Sequence, residues 1–133
     1  GGLLASIITD VPGSSDYFRG GFVTYTNAAK IAAGVNPDLI AQYGAVSSRV
    51  AADMARAARE RLKADIGIGI TGVAGPSEME DKPAGTVFIA IDNGKESKLI
   101  EGRYPWTRLR HQVKRRAVYH ALYELRRLLL TAI

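Results

Sequence analysis

The chain contains no cysteine, which excludes disulfides, thiolate catalysis and cysteine-ligated metal centres, and nothing in it points to secretion. Histidine is nearly as scarce. His111 and His120 stand nine apart, a poor metal spacing, so both read as helix residues and no metal or cofactor is expected. No apolar run approaches the roughly 18 residues of a membrane span, and the chain opens on Gly1-Gly2 instead of a basic segment followed by a signal core. The expectation is a cytoplasmic protein without membrane contact. Internal repeats and low-complexity linkers are also missing, and 133 residues with 47% apolar content suit one domain, residues 1–133, with a single core.

Acidic residues are scarce in the last third of the chain. Residues 95–133 hold ten Lys or Arg against three Glu, while residues 1–94 hold eight against ten acids, so the net +5 belongs to the last third. A basic last helix attracts nucleic acid in some proteins and is a solvated face in most; no stacking or groove-reading motif accompanies it, and nucleic acid is not the expected partner.

The stretch that organises the rest is 22–30, Phe-Val-Thr-Tyr-Thr-Asn-Ala-Ala-Lys. Phe22, Thr24 and Thr26 alternate with Val23 and Tyr25, the period-2 pattern of a strand. Asn27 suits an N-cap, which puts Lys30 at about the third helical position, where the partial positive charge of the helix end disfavours an ammonium. Lys30 is then either a solvated cation on a long stem or, if partly desolvated, an amine of lowered pKa able to accept a proton near neutral pH.

Leu3, Leu4, Ile7, Ile8 and Val11 form one apolar helix face that should stop at Pro12-Gly13. Gly1 and Gly2 before it leave backbone N–H groups open to an anion, or are simply the edge of a fragment. After a short helix from Asn27 to near Gly34, Asn36-Pro37 starts a second one over 38–43 that Gly44 closes. Ser47 caps a longer helix with Val50, Met54, Ala57, Ala58 and Leu62 on its apolar face, whose many alanines suggest close packing on a sheet or on a second subunit. Residues 65–73 read as a buried strand whose glycines allow close backbone approach, and Thr71-Gly72-Val73-Ala74-Gly75-Pro76 as a small-residue turn at its end, either structural or a phosphate cradle. An acidic loop follows at 77–81. Strands at 84–91 and 96–104 flank Asp92-Asn93-Gly94, a strong hairpin signal, with Pro105 and Trp106 ending the second. A long helix begins near Leu109 with Val113, Ala117, Ala121, Leu125 and Leu128 on its buried stripe. Lys114, Arg115 and Arg116 cluster near its start, against the helix dipole, in a position to face an anion. The sum is an α/β domain, a three-layer sandwich with a mixed β-sheet flanked by helices.

Gly1-Gly2-Leu3-Leu4, the 9–15 turn Thr-Asp-Val-Pro-Gly-Ser-Ser, Tyr17-Phe18-Arg19-Gly20-Gly21, Tyr25-Thr26-Asn27-Ala28-Ala29-Lys30, Gly44-Ala45-Val46-Ser47, the 71–76 turn and Lys82-Pro83-Ala84-Gly85-Thr86-Val87 follow one another in an order that resembles the CinA C-terminal domain, over nearly the whole chain. The resemblance implies a nicotinamide-nucleotide amidohydrolase, which turns nicotinamide mononucleotide and water into nicotinate mononucleotide and ammonia with a serine and a lysine acting together, and an oligomer of identical chains. Lys30 falls on the family lysine and Tyr25 beside it; Gly1, Gly2, Asn27, Thr71, Gly72, Ala74, Gly75 and Arg110 fall on positions implied to meet substrate, with Arg108 competing with Arg110. The family serine, in Glu-Ser-x-Thr-Gly-Gly, would stand three residues before Gly1, so the domain is expected to be N-terminally incomplete. Were the 133 residues everything, the sheet should lack a strand and hydrolysis should fail. Ser77, Glu78 and Met79 replace the family's paired glycines, which argues against phosphate contacts in that loop. Besides the amidohydrolase, the sequence leaves open a catalytically silent nucleotide-binding or oligomerisation module.

Overall fold

The computed structural model describes residues 1–104 and 109–131. Three strands, β1 (Gly67–Gly72), β2 (Thr86–Asp92) and β3 (Ser97–Arg103), pair in that order, and both ladders are antiparallel. The register sets Ile70 opposite Ile89 and Ile89 opposite Ile100, so one face is a block of branched side chains. On the other face Gly69 stands opposite Ala90 and leaves room for a helix backbone.

The helices are α1 (Leu3–Thr9), α2 (Asn27–Ala32), α3 (Pro37–Tyr43), α4 (Ser48–Arg61) and α5 (Arg110–Thr131), with a 3₁₀ turn at Ser14–Asp16. α5 lays Val113, Ala117 and Ala121 on Val87, Ile89 and Tyr104. α4 lies across the opposite face with Ala51 and Ala55 against Ala90. The sheet between two helices is the sandwich the sequence predicts. A Cβ on Gly67 would come within 2.0 Å of the Ala55 carbonyl oxygen and one on Gly69 within 2.2 Å of that of Ala51, so the strand's glycines are what let α4 sit this close. The buried face of α4 is accordingly Val50, Ala51, Ala55 and Ala57; it shares Val50 and Ala57 with the predicted stripe but adds Ala51 and Ala55, while Met54 is only half-buried.

Two further expectations change. Among the described residues the sheet is wholly antiparallel where a mixed one is predicted, because residues 22–26 run without a ladder partner. The alternation there was real, but a strand needs a neighbour's amides and carbonyls as well as a pattern. The cap of α2 is Thr26, not Asn27: Thr26 is extended and its Oγ1 accepts from the Ala29 N–H at 3.0 Å. Elsewhere the local signals hold. Ser47 caps α4 through the Val50 N–H at 3.2 Å, Asn36 caps α3 ahead of Pro37, and Asp92 Oδ1 accepts from the Gly94 N–H at 2.7 Å in the hairpin. No helix of the described residues is long and apolar enough to cross a membrane.

Candidate functional site

A cleft of about 1330 Å³ runs between the sheet and the N-terminal third of the chain. Its floor is Ile68 and Ile70 of β1; its walls are α1, the 16–25 segment, Lys30 of α2, the 73–79 loop and one face of α5 from Arg110 to Leu129. Every residue singled out in the sequence and described here lines it: Gly1, Gly2, Tyr25, Asn27, Lys30, Thr71, Gly72, Ala74, Gly75 and Arg110. Arg108 lies outside the described residues.

Lys30 is 7% exposed, and its Nζ donates to the Thr24 carbonyl oxygen at 2.9 Å. Burial lowers its pKa, and the negative charge of Glu80 partly opposes that. The direction matches the sequence argument; the cause does not. With Thr26 as cap, Lys30 is the fourth residue of a six-residue helix and belongs to its last turn, so desolvation rather than the helix end disfavours the ammonium. A neutral amine in this setting spends one N–H on Thr24 and keeps its lone pair for the cleft.

Tyr25 is 72% exposed, and its hydroxyl accepts from Arg110 Nη2 at 2.6 Å. The other arm of Arg110, Nη1, donates to the Gly75 carbonyl oxygen at 2.8 Å. One guanidinium thus joins the first turn of α5, the turn after β1 and the segment leading into α2. Asn27 opens α2 with its side chain exposed.

The 71–75 residues serve structure and cleft together. The Thr71 hydroxyl donates to the Ala45 carbonyl oxygen at 2.8 Å, tying β1 to the loop before α4. A Cβ on Gly72 would approach the Thr86 carbonyl oxygen at 2.8 Å, and Gly75 has φ +90 with the Ala84 methyl beneath it, so neither position accepts a side chain. Gly2 caps α1 with φ +89 and no side-chain bond, and Gly1 lies against Lys114.

One residue near the site escaped the sequence reading, and a second was read only in part. Glu80 reaches from the acidic loop to accept from the Val46 N–H at 2.8 Å, and it stands close over Gly44. Glu80 and Asp81 have φ of 52° and 60°, a tight turn closed by mutual backbone bonds of Met79 and Lys82. Nothing local announces a contact across 34 residues. Lys114 was visible as part of a basic cluster but not as a cleft residue; the signal was its place four residues after Arg110, one turn along the same face. Of the two histidines, His120 takes a structural part, with its Nδ1 2.8 Å from the Tyr104 hydroxyl.

The sequence profile of the CinA C-terminal domain matches residues 1–129. A CinA-like protein of Acidobacterium capsulatum is 46% identical over 132 residues, which cover 98% of this chain and 31% of that protein. A putative competence-damage inducible protein of Moorella thermoacetica is 57% identical over 94 residues, covering 69% of this chain and 23% of that one. The chain therefore spans a third or less of the length of these relatives. Among solved structures, a competence-damaged protein (CinA) superfamily protein of Escherichia coli superposes with a TM-score of 0.90 at 37% identity, over 96% of this chain and 74% of that one. The competence/damage inducible protein CihA of Agrobacterium tumefaciens gives 0.89 at 36%, over 96% and 79%.

Proposed function

The chain belongs to the CinA C-terminal domain family, and on that premise we propose that it is the hydrolytic domain of an amidohydrolase converting nicotinamide mononucleotide and water to nicotinate mononucleotide and ammonia. The observation that carries this reading is the buried Lys30 amine, lowered in proton affinity and open on one side to the cleft.

In this reading the nucleophile is a serine on the segment leading into Gly1. Neutral Lys30 takes its hydroxyl proton as Oγ bonds to the carboxamide carbon. The Tyr25 hydroxyl, which accepts from Arg110 and is polarised by it, offers its own proton to the developing oxyanion. Lys30 then returns its proton to the amide nitrogen as the C–N bond breaks, and ammonia leaves. Water attacks the resulting ester, Lys30 takes the water's proton and passes it to the departing serine oxygen, and nicotinate is released. The backbone of Gly72, Ala74 and Gly75, with the Asn27 side chain and Thr71, forms the wall against which the nucleotide lies.

The test is ammonia and nicotinate mononucleotide release by the full-length protein. Lys30→Ala should lower turnover about a thousandfold, and unchanged turnover in that variant would remove the mechanism. Nicotinamide mononucleotide bound by the wild type without any ammonia would instead support a catalytically silent nucleotide-binding module.

A further inference from the structure

The two walls of the cleft differ in charge. Of the acidic loop only Glu78 contributes a carboxylate to the lining, whereas α5 contributes Arg110 and Lys114. Among the described residues neither cation has a carboxylate within ion-pair distance; the ion pairs there involve Arg56, Arg59, Lys98, Arg103 and Arg127. Arg110 spends two donors on the neutral Gly75 carbonyl and Tyr25 hydroxyl, so its charge is held in place but not neutralised. The Lys114 Nζ lies 3.1 Å from where a Cβ on Gly1 would be, at a point where that glycine leaves space. Arg115 and Arg116, next in sequence, are exposed and do not line the cleft.

We infer that Lys114, with Arg110 one turn before it, takes the phosphate of the mononucleotide and is the residue through which the cleft distinguishes a nucleotide from its nucleoside. This deepens the proposed function and rests on its reading of the cleft as a mononucleotide site. A phosphate dianion finds at the start of α5 two positive charges without an ion-pair partner among the described residues, and on the 77–79 side of the cleft the Glu78 carboxylate. The nucleotide is thereby oriented with its phosphate toward α5. A compact ammonium suits this task, since it needs no fixed angle and Arg110 already supplies the rigid fork.

Calorimetric binding of nicotinamide mononucleotide and of nicotinamide riboside to the full-length protein tests this, with Lys114→Ala, Lys114→Arg and Arg115→Ala. Lys114 is exposed, so its truncation should leave the fold intact. Lys114→Ala should weaken the mononucleotide about tenfold or more and leave the riboside unchanged, Lys114→Arg should restore most of the loss, and Arg115→Ala should match the wild type. The wild-type preference for the mononucleotide should shrink as salt rises. Equal losses for both ligands in Lys114→Ala, no loss for either, or a wild type without preference would overturn the assignment. A wild type that prefers the mononucleotide through Lys114 but releases no ammonia leaves the phosphate site standing and removes the hydrolysis.

Discussion

The first 46 residues and the 85 that follow them to Thr131 are held together by different forces. In the first region only Ser14, Lys30, Val35 and Val46 are buried, and two of those four are polar. In the second, α4 and α5 press Ala51, Ala55, Val113, Ala117 and Ala121 onto the two faces of the sheet. The N-terminal wall of the cleft is instead pinned to this slab largely by hydrogen bonds. Asp53 accepts from the Asn36 N–H at 2.7 Å, Arg56 donates to the Gly34 carbonyl at 3.0 Å, and Arg61 to that of Ala32 at 3.0 Å. Thr71 holds Ala45, Glu80 holds Val46 and Arg110 holds Tyr25. A slab fixed by packing and a wall fixed by about one kilocalorie per bond give a site with one rigid side and one side that can adjust.

The sharpest separation of the two comes from Gly69→Val. Its Cβ would meet the Ala51 carbonyl oxygen at 2.2 Å and the Ala55 nitrogen at 2.8 Å, backbone atoms that cannot step aside. Lifting α4 from the sheet should cost about 3 kcal/mol or more, read as a lowered midpoint of chemical denaturation. A loss below about 1 kcal/mol would mean the slab yields as readily as the wall.

How much of this was legible follows the same division. In the slab the hairpin at Asp92-Asn93-Gly94, the Ser47 cap and the Val113–Ala117–Ala121 stripe were all readable, because each is a signal carried within a few residues. Beyond Ala121 the stripe fails: Leu125 and Leu128 are only half-buried, and Glu124 is buried instead, where Lys98 of β3 meets it at 2.5 Å. In the wall the 22–26 pattern promised a strand that finds no partner among the described residues, and the α2 cap moved to Thr26. Lys30 and Tyr25 were named from their motif, but burial of the one and the Arg110 bond of the other depend on residues far away in sequence. Glu80 was missed for the same reason.

Thr71→Val tests a single pin between the halves. It keeps the shape of the side chain but strips the donor from the Ala45 carbonyl, at a site 8% exposed. The expected cost is about 1–2 kcal/mol, together with faster amide exchange at residues 44–47 and no change in β2 or β3. Uniformly faster exchange throughout would show the halves to be one cooperative unit.

A smaller effect, within the slab, comes from the pairing of Glu124 with Lys98. The Lys98 ammonium, then Arg127, holds the Glu124 carboxyl below its ordinary 4.5, against the opposing effect of burial. A depressed folded-state value gives stability that is present above about 4.5 and is lost as pH falls through the folded value. Lys98 is 38% exposed, which screens the pair, so Lys98→Gln should cost about 1 kcal/mol or less at pH 7. The gap between variant and wild type should close on acidification, and a gap independent of pH would assign it to lost packing of the lysine stem.

The least disruptive change addresses the wall and the chemistry at once. Glu80→Gln preserves an oxygen to accept from Val46 and leaves the 79–82 turn unchanged, so stability should move by less than about 0.5 kcal/mol. What it removes is the one negative charge that raises the proton affinity of Lys30 against the lowering effect of burial. Without that charge the ammonium is less favoured, and the neutral amine persists to lower pH. If Lys30 is the proton acceptor, the acidic limb of the pH–rate profile for ammonia release should therefore shift toward lower pH in Glu80→Gln. A limb that stays in place while Lys30→Ala abolishes turnover would detach Glu80 from the lysine and leave it as a pin alone, one more polar tie across the cleft.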